Sequence, residues 1–190
     1  MMMTSPHFTP ERSALVLIDH QIGTLQLIKN QITPDIAVRN AVLLGKAALA
    51  YQMPIVMTSS QEDRVQGPLH PALQKAMPEA YGARVKRAGI VNAWTDLSFV
   101  EAAKATGRRQ LIMAAVTTDI CLVFPAISAV EAGYQVQAVM DAWAPTPRSA
   151  RRWRAGGWSA PAYGSPPPTR WSPSSCRTGA HRKASRSFRR

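Results

Sequence analysis

The chain has 190 residues, enough for one domain with its own core, and 46% of them are hydrophobic. Its formal charge of +12 is unevenly placed: residues 1–147 hold 12 of the 23 basic residues and all 11 acidic ones, so residues 148–190 carry 11 basic residues and no acid. The basicity therefore belongs to the tail, which excludes reading the whole chain as a nucleic-acid binder. No apolar run approaches the ~20 residues of a membrane helix, and the two cysteines, Cys121 and Cys176, make no disulfide framework.

The segment from Met1 to His7 has no basic stretch followed by a long apolar one, so no signal peptide is expected and the chain reads as soluble and cytoplasmic. Ala14 to Ile18 is a short apolar run ending in Asp19, the pattern of a strand buried on both faces. Residues 35–51 place Ile36, Val38, Val42, Leu43, Ala47 and Leu49 at helical spacing, and Asp35 after Thr33-Pro34 marks the start. Pro54 to Thr58 is a second strand, with Pro54 at the one position a strand tolerates it. Residues 59–93, rich in Gly, Pro and polar clusters, read mostly as loop. Asp96 to Thr106 reads as a helix capped by Asp96 and closed by Gly107. Gln110 to Ala115 is a third strand, Ile120 to Gly133 a helix, and Val136 to Met140 a fourth strand ending in Asp141.

Strands alternating with helices predict an α/β fold: three layers, an open, mostly parallel sheet with helices on both faces. Ligands of such sheets sit beyond the carboxyl ends of the strands, where the strand order reverses. Asp19, the segment Thr117 to Cys121, and Asp141 all follow strand ends, so chemistry is expected there.

Cys121 falls at the start of a helix directly after a strand, where the helix dipole and backbone N–H groups lower a thiol pKa; a lone cysteine is also often simply a buried structural residue. Asp19 reads either as a turn residue or as a general base whose charge has a partner. Lys86 and Arg87 can supply that partner, or form a solvated basic turn. His20, adjacent to Asp19, reads as structural or pocket-lining.

Three segments change the weighting. Ala14-Leu15-Val16-Leu17-Ile18-Asp19-His20-Gln21 resembles the opening strand of isochorismatase-like cysteine hydrolases. Arg87-Ala88-Gly89-Ile90-Val91-Asn92-Ala93-Trp94 resembles the second signature of the YcaC-like branch of that superfamily. Val116-Thr117-Thr118-Asp119-Ile120-Cys121-Leu122-Val123-Phe124-Pro125-Ala126 resembles its nucleophile loop. The resemblance covers roughly residues 8–147 and keeps the three signatures in order.

The resemblance implies a metal-independent hydrolase acting on a small-molecule amide or related C–N bond through a triad of Asp, Lys and Cys. Asp19 and Cys121 match it directly, and the basic member falls on Arg87, with Lys86 one residue away. It also implies a cis peptide at Val116–Thr117 that aims backbone N–H groups at an oxyanion. Ala115 stands where the family more often has Gly. Phe8, Leu25, Trp94 and Ile120 are expected to line a small, partly apolar substrate pocket. Nicotinamidase relatives place a metal site after the second strand. The corresponding Ser59-Ser60-Gln61-Glu62-Asp63-Arg64 has no His before His70, so neither a metal nor another cofactor is expected. The family further implies a homo-oligomer, and no specific nucleic-acid or membrane partner is expected. The competing reading, from another functional class, is a non-catalytic oligomeric scaffold of the same fold.

The composition breaks at about Arg148. Residues 148–190 contain no Ile, Leu, Val or Met, and their Arg, Pro, Ser, Gly, Ala and Trp are what out-of-frame GC-rich DNA encodes. The organisation expected is a truncated hydrolase domain over 1–147 and a basic, irregular extension over 148–190 from a frameshift, with the last strand and helix of the family lost. A genuine basic tail is the alternative. Its charge and Trp153, Trp158 and Trp171 give it salt-sensitive contact with phosphates, read as incidental.

Overall fold

The structure, a computed structural model, describes residues 7–28 and 33–139. Asp141 and the whole of 148–190, with the expected frameshifted extension and lost strand, lie outside the described residues.

Five parallel strands form one sheet: β1 (Ser13–Ile18), β2 (Ile55–Ser60), β3 (Val85–Arg87), β4 (Gln110–Ala115) and β5 (Gln135–Ala138), in the order β3-β2-β1-β4-β5. Every residue of β1 is buried, as its continuous apolar run predicts for a central strand covered on both sides. Six helices are described: α1 (Ile22–Leu25), α2 (Pro34–Ala50), α3 (Pro71–Ala76), α4 (Pro78–Gly82), α5 (Leu97–Ala105) and α6 (Val123–Glu131). Alternate residues of β1 face two layers. Ala14, Val16 and Ile18 pack with Phe99 of α5 and Leu122 and Ala129 beside and within α6. Leu15 and Leu17 pack with Ala41 and Ala48 of α2, Leu73 of α3 and Met77. This is the three-layer α/β arrangement expected from the sequence.

The segment 59–93 departs from that expectation. It is not mostly loop: it holds α3, α4 and β3. β3 is only three residues long and pairs in register with Thr58, Ser59 and Ser60. A strand that short carries no period-2 signal, so only the neighbouring strand end defines it. The buried face of α2 also differs from its large apolar residues. Ala37, Val38, Ala41, Gly45 and Ala48 are buried, whereas Leu43 and Leu49 are exposed. Small residues let the helix lie close to its neighbours: a Cβ on Gly45 would stand 2.0 Å from Met77 Sδ.

Going outward from β1, β2 and β3 lie on one side and β4 and β5 on the other. The strand order therefore reverses between β1 and β4, and the crevice beyond their carboxyl ends is the binding position of open α/β sheets.

Candidate active site

Asp19 follows β1 directly and is held in the left-handed region at φ 57°, a conformation Asp tolerates better than most residues. Its N–H donates to the Thr58 carbonyl at 3.0 Å, and its own carbonyl accepts from Gln21 N–H at 2.7 Å. Gln21 is wholly buried. Its amide donates to Ser60 O and Gly67 O and accepts from Ser60 N–H, which fixes the segment after β2 against the end of β1.

Arg87, the last residue of β3, reaches across β2 toward Asp19. Its Nη2 donates to Asp19 Oδ1 at 2.5 Å, Nε to Thr58 Oγ1 at 2.9 Å, and Nη1 to the Ile90 carbonyl at 2.7 Å. Both side chains of the pair are nearly inaccessible, 1% for Arg87 and 7% for Asp19. Lys86 is not brought to this site. Alternation along β3 turns it the other way, into solvent, where Nζ lies 3.2 Å from Glu62 Oε2. Of the two, it is Arg87 that meets Asp19.

Cys121 sits in the turn Thr118–Leu122 that follows β4 and leads into α6. The thiol lies near enough to the Asp19 carboxylate to feel its charge, and Thr117 Oγ1 donates to Cys121 Sγ at 3.1 Å. The turn is wide, because the Thr117 carbonyl accepts from both Cys121 N–H and Leu122 N–H. The expected cis peptide at Val116–Thr117 is not found; no described peptide bond is cis. Thr117 is instead in ordinary extended geometry, φ −121° and ψ 122°, and the wide turn redirects the chain without the ~3 kcal/mol cost of a non-proline cis bond.

The electrostatics also correct an expectation. The Cys121 thiol is not lowered by the start of α6. Burial first, and the adjacent Asp19 charge second, push it up to about 12, with Thr117 and Arg87 pulling the other way. A dipole effect confined to one helical turn is outweighed by desolvation and a neighbouring anion. Burial likewise raises the Asp19 carboxyl above its ordinary range, opposed by the Arg87 charge and hydrogen bond and then by the Cys121 hydrogen bond.

The expected pocket liners separate. Ile120 is partly exposed on the turn beside Cys121. Leu25 is buried with Ile28, Ala37, Val38 and Val116, against the start of the nucleophile loop. Trp94 is half-buried. Its ring meets Phe99 and Tyr134 edge-on, at 5.9 and 5.3 Å between centroids, and packs against the core. Phe8 is at the wrong end of the sheet within this chain. Its neighbours His7 and Thr9 bond to Gln110, the first residue of β4, roughly 17–20 Å from the carboxyl ends at a strand rise of ~3.3 Å per residue. His20 is fully buried and its carbonyl accepts from His70 N–H, so it is structural rather than lining.

The segment considered for metal ligands is engaged otherwise. Glu62 accepts from Arg84 Nε at 2.6 Å and from Ser59 Oγ at 2.8 Å, and His70 Nδ1 accepts from Ala72 N–H to cap α3. Two contributors were not singled out from the sequence: Thr58, and the carbonyl of Ile90. Thr58 is the polar residue that ends the apolar run of β2, the same kind of signal that pointed to Asp19.

Residues 13–156 match the Isochorismatase domain, a few residues past the composition break. YcaC of Escherichia coli (strain K12) is 41% identical over 142 residues, covering 74% of this chain and 67% of that protein. The crystal structure of the YcaC gene product from Escherichia coli, an octameric hydrolase of unknown specificity, superposes with a TM-score of 0.69 at 40% identity over 78% of this chain and 72% of that one. YcaC from Pseudomonas aeruginosa, with hexane-2,5-diol and covalent acrylamide, gives 0.71 at 38% identity over 81% and 75%. An isochorismatase family protein from Burkholderia thailandensis, 21% identical, shares the fold at 0.65 over 79% and 87%. With its family match spanning most of the chain, its parallel sheet, and a relative 41% identical over 142 residues, this chain belongs to the isochorismatase family.

Proposed function

We propose that the chain is a metal-independent cysteine hydrolase acting on a small-molecule amide or related C–N bond, with Cys121 as nucleophile, Asp19 as proton acceptor and Arg87 as the fixed cation. One observation carries the reading: three strand ends set the Asp19 carboxylate against the Arg87 guanidinium and place the Cys121 thiol within reach of its charge. The thiol, held up at about 12, keeps its proton at neutral pH. As sulfur attacks the carbonyl carbon, the proton passes to Asp19 and the carbonyl oxygen takes up negative charge. Collapse breaks the C–N bond, and the leaving nitrogen takes the proton from Asp19. Water then attacks the thioester and gives a proton to Asp19; that proton returns to sulfur as the acid leaves.

Arg87 cannot act as a base, because a guanidinium does not deprotonate in proteins. With Asp19 it forms a pair of no net charge, which suits a neutral substrate better than an anionic one, and two of its other N–H groups donate to Thr58 and Ile90. The engaged donor set around Glu62 and His70 supports chemistry without a metal. The octameric relative supports a homo-oligomer, measurable by light scattering.

Acrylamide tests the nucleophile. It accepts thiolates at carbon, and a relative carries it covalently. Peptide-level mass spectrometry should show Cys121 labelled faster than Cys176, with the Cys121 adduct absent in Cys121→Ala and at least tenfold slower in Asp19→Asn. Equal labelling of Asp19→Asn would remove Asp19 from its role. Amide turnover surviving Cys121→Ala would point to another nucleophile. Alkylation without turnover of any amide in a broad screen would favour the scaffold reading.

A further inference from the structure

Thr58 hydrogen-bonds to both halves of the buried ion pair. Its backbone carbonyl accepts from Asp19 N–H at 3.0 Å, and its hydroxyl oxygen accepts from Arg87 Nε at 2.9 Å. The hydroxyl hydrogen is committed as well, donated to the Val85 carbonyl at 2.9 Å. Donation to Val85 turns the oxygen lone pairs toward the guanidinium, so the hydroxyl is fixed rather than freely rotating.

The side chain is wholly buried. Register explains the placement: Thr58 pairs with Ile18, the residue before Asp19, and with Val85, two residues before Arg87. A planar guanidinium held at Nε by Thr58 and at Nη1 by the Ile90 carbonyl has one orientation left, and in it Nη2 meets Asp19.

We infer that Thr58 is a positioning residue for the reaction: through its hydroxyl it aims Arg87 at Asp19, and through Arg87 it favours the carboxylate form that receives the Cys121 proton. The inference rests on the proposed roles of Asp19 and Cys121. Thr58→Val removes the hydroxyl at nearly constant volume, leaves Arg87 Nε–H without its acceptor, and loosens Nη2 from the carboxylate. Asp19 then holds its proton to higher pH.

The Asp19 carboxyl is titrated by 13C NMR in the full-length chain, using Asp19→Asn to assign its signal. Circular dichroism confirms the fold. In Thr58→Val and in Thr58→Ala the Asp19 midpoint moves up by roughly one pH unit, a tenfold change in equilibrium, and the acid limb of acrylamide alkylation moves up with it. Thr58→Ser, which keeps the hydroxyl, restores both. An unmoved midpoint in the two hydroxyl-free variants, or Thr58→Ser displaced as far as Thr58→Val, overturns the assignment. The titration is read on the carboxyl itself, so it decides the role of Thr58 whether or not Cys121 reacts. Absence of alkylation in the native chain counts against Cys121 alone.

Discussion

Arg87 Nη2 and Asp19 Oδ1 are 2.5 Å apart in surroundings that exclude water from both side chains. A pair this buried attracts strongly but has also lost the hydration of two ions, so its net contribution is small while the loss of either partner is large. Arg87→Met should therefore destabilise the fold by about 3–5 kcal/mol near neutral pH, read from urea unfolding. The double variant Asp19→Asn with Arg87→Met should recover part of that loss, because no uncompensated charge remains. Additive losses in the double-mutant cycle would mean that the two groups do not act as a pair.

Glu62 organises the neighbouring surface. The Arg84 hydrogen bond first, with Ser59 and Lys86 assisting against partial burial, holds its carboxyl down to about 2 from an ordinary 4.5. Between those values the unfolded chain binds the proton and the native one does not, so stability falls as pH falls from about 4.5 toward 2. Glu62→Gln should flatten this part of the acid unfolding curve relative to the native chain. A curve of unchanged slope would show that the ion pairs contribute nothing to folding.

Gly23 tests the clamp beside the site. A Cβ there would stand 1.9 Å from the Val65 carbonyl oxygen, a backbone atom, and Gly23 N–H already donates to Gln66 O at 2.8 Å. Backbone cannot swing aside as a flexible side chain can. Gly23→Ala should cost about 1–3 kcal/mol and push residues 61–68 off α1, so trypsin should cut at the exposed Arg64 faster than in the native chain. An unchanged cleavage rate would show that the loop accommodates the methyl group.

The layers and the positions of Asp19 and Cys121 were legible in the sequence because long buried strands write themselves as continuous apolar runs that end in polar residues. β3 was not, since three residues carry no period. The choice between Lys86 and Arg87 depended on that missing strand, because alternation along it sends one side chain inward and its neighbour outward. Phe8 was misplaced because resemblance transfers residue types more readily than the end of a sheet. The direction of the Cys121 shift was misread for a further reason. A helix start is visible in sequence, whereas the desolvation and the carboxylate that outweigh it arise only from tertiary packing.

That reversed shift leads to a last prediction. Burial and the Asp19 charge carry the Cys121 thiol from its ordinary 9.0 up to about 12. Between those pH values an unfolded chain has lost the thiol proton and the folded chain retains it. The native state then binds more protons, and raising the pH favours unfolding. The contribution of Cys121 is thus fully present below about pH 9 and lost progressively as pH rises toward about 12. Lysines and tyrosines titrate in the same range, so the useful quantity is the unfolding free energy of the native chain minus that of Cys121→Ala. This difference should be constant from pH 6 to pH 8, at about the cost of deleting a small buried side chain, and should shrink steadily above pH 9. A difference independent of pH up to 11 would mean that the thiol ionises as easily in the fold as outside it, leaving Asp19 no proton to take at neutral pH that solvent could not take as well.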